Sequence, residues 1–113
     1  MSQEALKVKR FITLTFALIF SSCVFAETAW IDVRTDAEYS AGHVDGAIRI
    51  PYQDIGSEIG SLFQNKEQEI ILYCRSGRRA GVALNTLKEM GYTNVRNVGS
   101  LSNAKRLHAS QRQ

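Results

Sequence analysis

One cysteine stands where an apolar run gives way to a basic, glycine-containing segment, in the stretch IILYCRSGRRA. Cys74 is followed by Arg75, Ser76, Gly77, Arg78 and Arg79. A loop that opens a helix directs several backbone N–H groups at one point, and the helix dipole adds about half a positive charge there. A thiolate is stabilised at such a point, and neighbouring guanidinium groups add to the effect. The sequence therefore predicts a Cys74 with a lowered thiol pKa that needs no histidine base, in a loop that also binds an oxyanion.

Strand-like and helix-like segments alternate around this cysteine. Four segments are predicted strands: AWIDV (29–33), AIRIP (47–51), EIILYC (69–74) and NVRNV (94–98). A short helix is predicted to begin after Thr35, because Thr35 and Glu38 have capping-box spacing. Three further helices are predicted over 55–63, 80–90 and 101–109. This alternation predicts an α/β fold, a small parallel sheet with helices on both faces. Sites in such sheets form beyond the carboxyl ends of the strands. Cys74 is the last residue of a predicted central strand and therefore lies at such an end.

The first 26 residues have the features of an export signal. Lys7, Lys9 and Arg10 precede the apolar run FITLTFALIF (11–20), and Val24 and Ala26 are small residues before a cleavage point. That run is too short for a bilayer core of about 30 Å, which needs roughly 20 residues. We therefore expect export to the periplasm, cleavage after Ala26 and no lasting membrane anchor. An uncleaved anchor and a lipoprotein processed at Cys23 are the alternatives.

Cleavage there would leave one domain, residues 27–113, with little net charge. The leader holds three basic side chains and one acidic one, so a net charge of +3 falls to +1. A net charge this small gives no support to nucleic-acid or membrane binding. We expect a monomer. Cys74 would be the only remaining cysteine, which excludes an internal disulfide and a Cys-x-x-Cys redox pair. One thiol and two scattered histidines are too few for a metal site.

Three segments resemble the rhodanese family. CRSGRRA (74–80) is similar to its active-site loop, IDVRTDAEYSAGHVDGAIRIP (31–51) to its upstream signature, and MGYTNVRNV (90–98) to a downstream segment. The three segments follow the family's order and together cover nearly the whole of residues 27–113. The resemblance therefore implies that this range is a rhodanese domain. The likeness is greatest to the small, single-domain periplasmic thiosulfate sulfurtransferases of the phage-shock type. It implies a rhodanese-like fold.

The resemblance also implies a reaction and its residues. Cys74 would attack the outer sulfur of thiosulfate, release sulfite and hold a persulfide that cyanide or a thiol then removes, in a ping-pong sequence without a cofactor or metal. The loop residues Arg75, Ser76, Gly77, Arg78 and Arg79 would enclose the persulfide with their N–H groups. Arg75 and Arg79 would contact the substrate or the loop's own frame. Asp32 and Arg34 would brace the same edge of the sheet.

One departure from the family pattern and three rival interpretations stay open on the sequence alone. The family commonly has a Gly-Gly pair and then a tryptophan after its last strand, whereas this chain has Gly99-Ser100 and no later tryptophan, which leaves the packing of the final helix open. Cysteine phosphatases also use a thiolate in an anion-binding loop, but their Cys-x5-Arg pattern needs an arginine where Ala80 stands. A third reading is a non-catalytic or partner-specific persulfide carrier with the same fold. The simplest alternative is a half-buried structural cysteine beside solvated arginines.

Four further side chains are predicted to have no catalytic role. His43 in GHVDGA is expected to be a turn residue and not a base, because the thiolate needs none. His108 is expected to be solvated near the chain end. Trp30 and Tyr73 are expected to pack in or beside the sheet.

Overall fold

The computed structural model describes residues 27–112, so the predicted leader and its cleavage lie outside the described residues. Strands and helices alternate along the chain. The strands are β1 (Ala29–Asp32), β2 (Ile48–Arg49), β3 (Ile70–Cys74) and β4 (Val95–Ser100). The helices are α1 (Asp36–Ala41), α2 (Ile55–Leu62), α3 (Arg78–Glu89) and α4 (Leu101–Gln111). Within this range no helix is both long and apolar enough to cross a bilayer.

The four strands form one parallel sheet in the order β2-β1-β3-β4. Every residue of the central strands β1 and β3 is buried, which explains why both read as continuous apolar runs. Cys74 is the last residue of β3. The predicted α/β fold, with the basic loop at the carboxyl end of a central strand, is confirmed.

Alternate residues of the strands face two separate apolar layers. On one face Ile31, Leu72 and Cys74 pack with residues of α2 and α3, among them Ile59 and Ala83. On the other face the packed side chains come from β1, β3, α1 and α4: Trp30, Tyr73, Tyr39, Ala104 and Leu107. Helices therefore cover both faces of the sheet, as the alternation predicts.

The boundaries of the flanking elements differ from the sequence prediction for local reasons. The capping box of α1 is confirmed, because Thr35 Oγ1 accepts from the Glu38 N–H at 3.2 Å and the Glu38 carboxylate accepts from the Thr35 N–H at 3.0 Å. The edge strand β2 is shorter than predicted, and Pro51 beyond it has no N–H with which to extend the ladder. Strand β4 runs on to Ser100 instead of ending at 98.

The final helix is firmly anchored although the family's Gly-Gly pair and tryptophan are absent. Ser100 ends β4, and its Oγ accepts from the Asn103 N–H at 3.2 Å as the N-cap of α4. Ala104 is fully buried against the sheet. Helix α4 therefore begins without a linker and extends two residues beyond the predicted end at 109.

Candidate active site

The Cys74 sulfur lies at the start of a loop that turns directly into α3. Cys74 is 1% exposed, and the Gly77 N–H donates to its Sγ at 2.9 Å. Gly77 is the N-cap of α3 and has φ of +100°, a left-handed conformation that side chains disfavour. The sequence Arg-Ser-Gly-Arg-Arg thus folds back on the sulfur because glycine occupies the one position that needs this backbone angle.

Main-chain amides favour the ionised form of the Cys74 sulfur. Burial raises the pKa of the Cys74 thiol, but hydrogen bonds from the N–H groups of Ala80, Gly77, Ser76 and Arg79 lower that pKa by more. The result is a pKa below the ordinary cysteine value, as the strand–loop–helix pattern predicts. All four stabilising groups are backbone N–H groups. The guanidinium contribution that the sequence also suggested is not among these main causes.

Asn97 fixes the glycine that donates to the sulfur. Its Nδ2 donates to the Gly77 carbonyl at 2.8 Å, and its Oδ1 accepts from the Gly99 N–H at 2.9 Å. A Cβ placed on Gly77 would lie 3.1 Å from the Gly99 Cα. Sequence reasoning missed Asn97. The available signal was its position two residues before a glycine, a spacing at which asparagine side chains often bond to the backbone.

Of the three loop arginines, one forms a salt bridge and two form none within residues 27–112. Arg79 forms a two-pronged pair with Glu38, with Nη1–Oε1 at 2.8 Å and Nη2–Oε2 at 3.0 Å. The hydrogen bond from Arg79 lowers the pKa of Glu38 to about 2 and raises that of Arg79. Arg75 and Arg78 are exposed, and in residues 27–112 neither forms a salt bridge. Arg79 therefore ties the start of α3 to α1, and a contact of Arg79 with the substrate stays a prediction.

Asp32 and Arg34 form a buried ion pair at the neighbouring end of β1. Arg34 Nε lies 2.9 Å from Asp32 Oδ1, and Arg34 Nη2 lies 2.7 Å from Asp32 Oδ2 and 2.6 Å from the Gly42 carbonyl oxygen. The hydrogen bond to Asp32 raises the pKa of Arg34. The guanidinium also lies over the Tyr73 ring, 5.7 Å from its centroid. This arrangement joins β1, the end of α1 and β3 beside the Cys74 loop.

The two histidines contribute to packing. His43 Nδ1 lies 2.8 Å from the Tyr39 carbonyl oxygen, and its ring stacks on that of Tyr39. His108 is half-buried with its ring edge-on to Trp30 at 5.0 Å, so the expectation that it is solvated is wrong. The reason is helical spacing, because His108 lies four residues after the buried Ala104 and therefore on the same side of α4. In the described part of the chain no three metal-ligating side chains come together.

Two grooves of different character flank the Cys74 loop. The first, here called the arginine groove, has a volume of about 510 Å³ and is lined by Tyr52, Arg75, Ser76, Arg78, Arg79 and Val82. The second, here called the serine groove, has a volume of about 420 Å³ and is lined by Arg34, Glu38, Ala41, Arg75, Ser100, Leu101 and Ser102. Arg75 borders both, so the loop separates them.

Comparisons with known proteins agree with this geometry. The rhodanese-like domain family matches residues 23–105. The chain is 44% identical over 88 residues to thiosulfate sulfurtransferase PspE of Escherichia coli, an alignment that covers 78% of this chain and 85% of the relative. It is 37% identical over 68 residues to the putative sulfur carrier protein YrkF of Bacillus subtilis, covering 60% of this chain but only 36% of that protein. A solved rhodanese with anions from E. coli superposes with a TM-score of 0.65 at 40% identity, covering 68% of this chain and 91% of that one.

Proposed function

The chain belongs to the rhodanese-like domain family, and from that membership we propose that it is a thiosulfate sulfurtransferase that carries sulfur on Cys74. In the first half-reaction the Cys74 thiolate attacks the outer sulfur of thiosulfate. A new S–S bond forms, the old S–S bond breaks, and its electron pair leaves on sulfite. In the second half-reaction cyanide or a thiolate attacks the outer sulfur of the persulfide, and the electron pair returns to Cys74 as thiolate.

The observation that carries this proposal is the 2.9 Å hydrogen bond from the Gly77 N–H to the Cys74 sulfur. Only the thiolate is a strong nucleophile, and this bond belongs to the set of amide contacts that lower the pKa of the thiol. The same N–H groups can also donate hydrogen bonds to a persulfide anion on Cys74. Both halves of the cycle thus begin and end with negative sulfur among the same donors.

The phosphatase alternative lacks its phosphate-binding arginine. Ala80 occupies the position that such an arginine needs, and it is fully buried. The preceding Arg79 is committed to Glu38. The loop that remains is one residue shorter, which favours a single sulfur over a tetrahedral phosphate.

Mass spectrometry of the protein treated with thiosulfate tests the proposal. We expect the protein to gain the mass of one sulfur atom, and cyanide to remove it. Cys74→Ser should gain none and should lose all sulfur transfer, while its circular dichroism spectrum and melting temperature stay near those of the wild type. Turnover of thiosulfate by the serine variant would refute the mechanism.

A persulfide carrier is the second candidate, and the similarity to a protein named as a putative sulfur carrier favours it. Both candidates predict the persulfide, so its discharge separates them. A sulfurtransferase loses its extra sulfur to cyanide or a small thiol over many turnovers. A carrier holds it until one protein partner arrives.

We place the protein in the periplasm, on the sequence of residues 1–26. Cleavage after Ala26 would make Glu27 the first residue of the mature protein. Lipidation at Cys23 would instead keep four more residues, 23–26, and add the mass of acyl chains. The intact mass of protein purified from the periplasm distinguishes these outcomes, and a full-length mass would overturn both.

A further inference from the structure

We propose that the hydroxyl of Tyr73 positions the Cys74 sulfur, because it fastens the end of β3 to the connection between α1 and β2. Tyr73 is a positioning residue and not a catalytic one, since the two side chains lie on opposite faces of the sheet. Its importance for sulfur transfer rests on the proposed function. Its effect on the Cys74 thiol does not, and can be measured separately.

Tyr73 and Cys74 are adjacent in β3 and pack in different apolar layers. Cys74 belongs to the layer covered by α2 and α3, whereas Tyr73 packs with Trp30 and Ala104 on the other face. Successive side chains of a strand point to opposite faces, so a rotation of the strand end about its own axis would move both of them. A contact that prevents Tyr73 from turning therefore also sets the direction of the Cys74 side chain.

The Tyr73 hydroxyl provides such a contact across the molecule. Tyr73 is fully buried, and its oxygen accepts a hydrogen bond from the N–H of the buried Val44 at 3.0 Å. Burial raises the pKa of Tyr73, and the Asp32 carboxylate adds to the increase, so the group stays a neutral hydroxyl. A buried N–H that loses its acceptor is costly, so this hydrogen bond should persist in the folded domain.

A second tie joins the same connection to the strand ends. Arg34, whose guanidinium lies over the Tyr73 ring, donates to the Gly42 carbonyl. Gly42 and Val44 are thus held two residues apart, one by Arg34 and one by Tyr73. The Tyr73 carbonyl in turn accepts from the Val33 N–H at 3.1 Å. Main chain, ring and hydroxyl of Tyr73 are all fixed on the β1 side of β3.

The other side of β3 is less regular at this point, which makes the hydroxyl more important. Leu72 pairs with Asn97 and Cys74 with Ser100, so the pairing with β4 shifts register at Tyr73. Regular pairing with β4 therefore cannot by itself fix the orientation of the strand end. The sulfur nevertheless has to lie within hydrogen-bond distance of several amides, with the Gly77 N–H at 2.9 Å. The tie from Tyr73 to Val44 supplies the missing constraint.

Tyr73→Phe tests this role, because it removes the hydroxyl oxygen and keeps the ring beneath Arg34. Protein purified from the periplasm is freed of persulfide with cyanide, and alkylation of Cys74 by iodoacetamide is followed as a function of pH. We expect the midpoint of the profile to move up and the rate at pH 7 to fall about threefold, since less thiolate is then present. The assays contain sucrose, which stabilises compact states, and circular dichroism verifies that the variants are folded.

Tyr92→Phe is the matched control. Tyr92 is 2% exposed, its hydroxyl donates to the Phe63 carbonyl at 2.5 Å, and the Lys66 ammonium lies 4.1 Å from its ring centroid. It thus resembles Tyr73 in its burial, its bond to the main chain and the cation over its ring, but it precedes β4 and is not next to Cys74. We expect Tyr92→Phe to lower the melting temperature and to leave the midpoint of alkylation in place.

The positioning role is overturned if Tyr73→Phe keeps the wild-type midpoint, or if both phenylalanine variants shift it equally. Either result, in a wild type that takes up one sulfur from thiosulfate, refutes the role of Tyr73 and leaves the proposed function standing. A wild type that forms no persulfide refutes the proposed function instead. The alkylation profiles of the two variants then still decide whether Tyr73 positions the sulfur.

Discussion

The neighbouring strands β1 and β3 both end in a buried group that can carry negative charge, yet the two ends stabilise that charge differently. At the end of β1, Asp32 is held by the guanidinium of Arg34, with paired hydrogen bonds and no exposure to solvent. At the end of β3, Cys74 is held by backbone amides, and the nearby Arg75 and Arg78 stay in solvent. A carboxylate with a fixed cation is a structural brace. A thiolate among neutral donors keeps its electron pair available for attack.

The difference shows why the arginines of the loop are not interchangeable. A guanidinium bonded directly to the sulfur would compete with an incoming electrophile, as Arg34 does with any other partner of Asp32. Arg79 instead pairs with Glu38, which joins the start of α3 to the start of α1. Arg75 and Arg78 form no salt bridge within residues 27–112.

The largest effect is expected from breaking the pair at the end of β1. Asp32→Asn leaves the buried Arg34 cation without its counter-charge, so the free energy of unfolding should fall by about 3 kcal/mol. Urea denaturation measures the loss. The control is Asp36→Asn, since the Asp36–Arg49 pair is 3.5 Å apart and Asp36 is 81% exposed. That variant should change stability by less than about 0.5 kcal/mol, and equal losses in the two variants would refute the structural role of the buried pair.

A change at the end of β3 should damage chemistry more than stability. Gly77→Ala forces a side chain into the left-handed region and against the Gly99 backbone, which displaces the amide that donates to Cys74. Sulfur transfer should fall about 100-fold. Gly91→Ala is the control, because Gly91 has φ of +97° and its added Cβ meets nothing within 4 Å. It should lose a similar 1–2 kcal/mol or so of stability from backbone strain but retain its rate of sulfur transfer.

A milder perturbation of the same amide is Asn97→Ala. Losing the bonds to the Gly77 carbonyl and the Gly99 N–H should loosen the loop, so the pKa of Cys74 should move up toward the value of free cysteine. Because less thiolate is then present at neutral pH, the alkylation rate at pH 7 should fall about tenfold. Asn94→Ala, which removes a bond to Glu67 just before β4 begins, should leave the pH profile in place. A stability loss in Asn97→Ala without any shift of the profile would show that Asn97 has only a structural role.

The smallest effect concerns the pair between Glu38 and Arg79. The folded-state pKa of Glu38, about 2, lies below its ordinary value of 4.5, so its ionisation stabilises the fold above pH 4.5 and that contribution is lost as the pH falls through 2. Glu38→Gln removes this contribution, which for a partly exposed pair is about 1 kcal/mol or less. The difference in unfolding free energy between wild type and variant should therefore shrink from pH 5 to about pH 2. A difference independent of pH would contradict the ion pair.

The sequence predicts those features that depend on neighbours along the chain. The strand 70–74 is visible because burial on both faces demands an unbroken apolar run, and Thr35 and Glu38 reveal the start of α1 because the capping box is local. Cys74 is found because the change from apolar to basic residues coincides with the change from strand to loop. Membership in the rhodanese-like domain family, which three short motifs indicate, is confirmed over 23–105.

Features that depend on distant pairs are not predictable in this way. Glu38 and Arg79 are 41 positions apart, so nothing in the loop sequence shows which of its three arginines has a partner. The role of Asn97 depends on the approach of Gly99 to Gly77, which follows from the sheet pairing. The register of β3 and β4 shifts by one residue between Leu72 and Cys74, and this brings Ser100 beside Cys74 and starts α4 there. The position of Ser100 beside Cys74 therefore depends on an irregularity that the sequence does not show, although the start of α4 at Leu101 is predicted correctly.

The rate of Cys74 alkylation by iodoacetamide as a function of pH tests the central claim most directly, in protein first freed of persulfide with cyanide. If backbone amides hold the sulfur as thiolate, the midpoint of the rate profile lies clearly below that of free cysteine, about 8.5, and the rate falls as the pH drops through it. A midpoint at or above that of free cysteine would mean that burial outweighs the amides, and the account of Cys74 as the nucleophile would be contradicted.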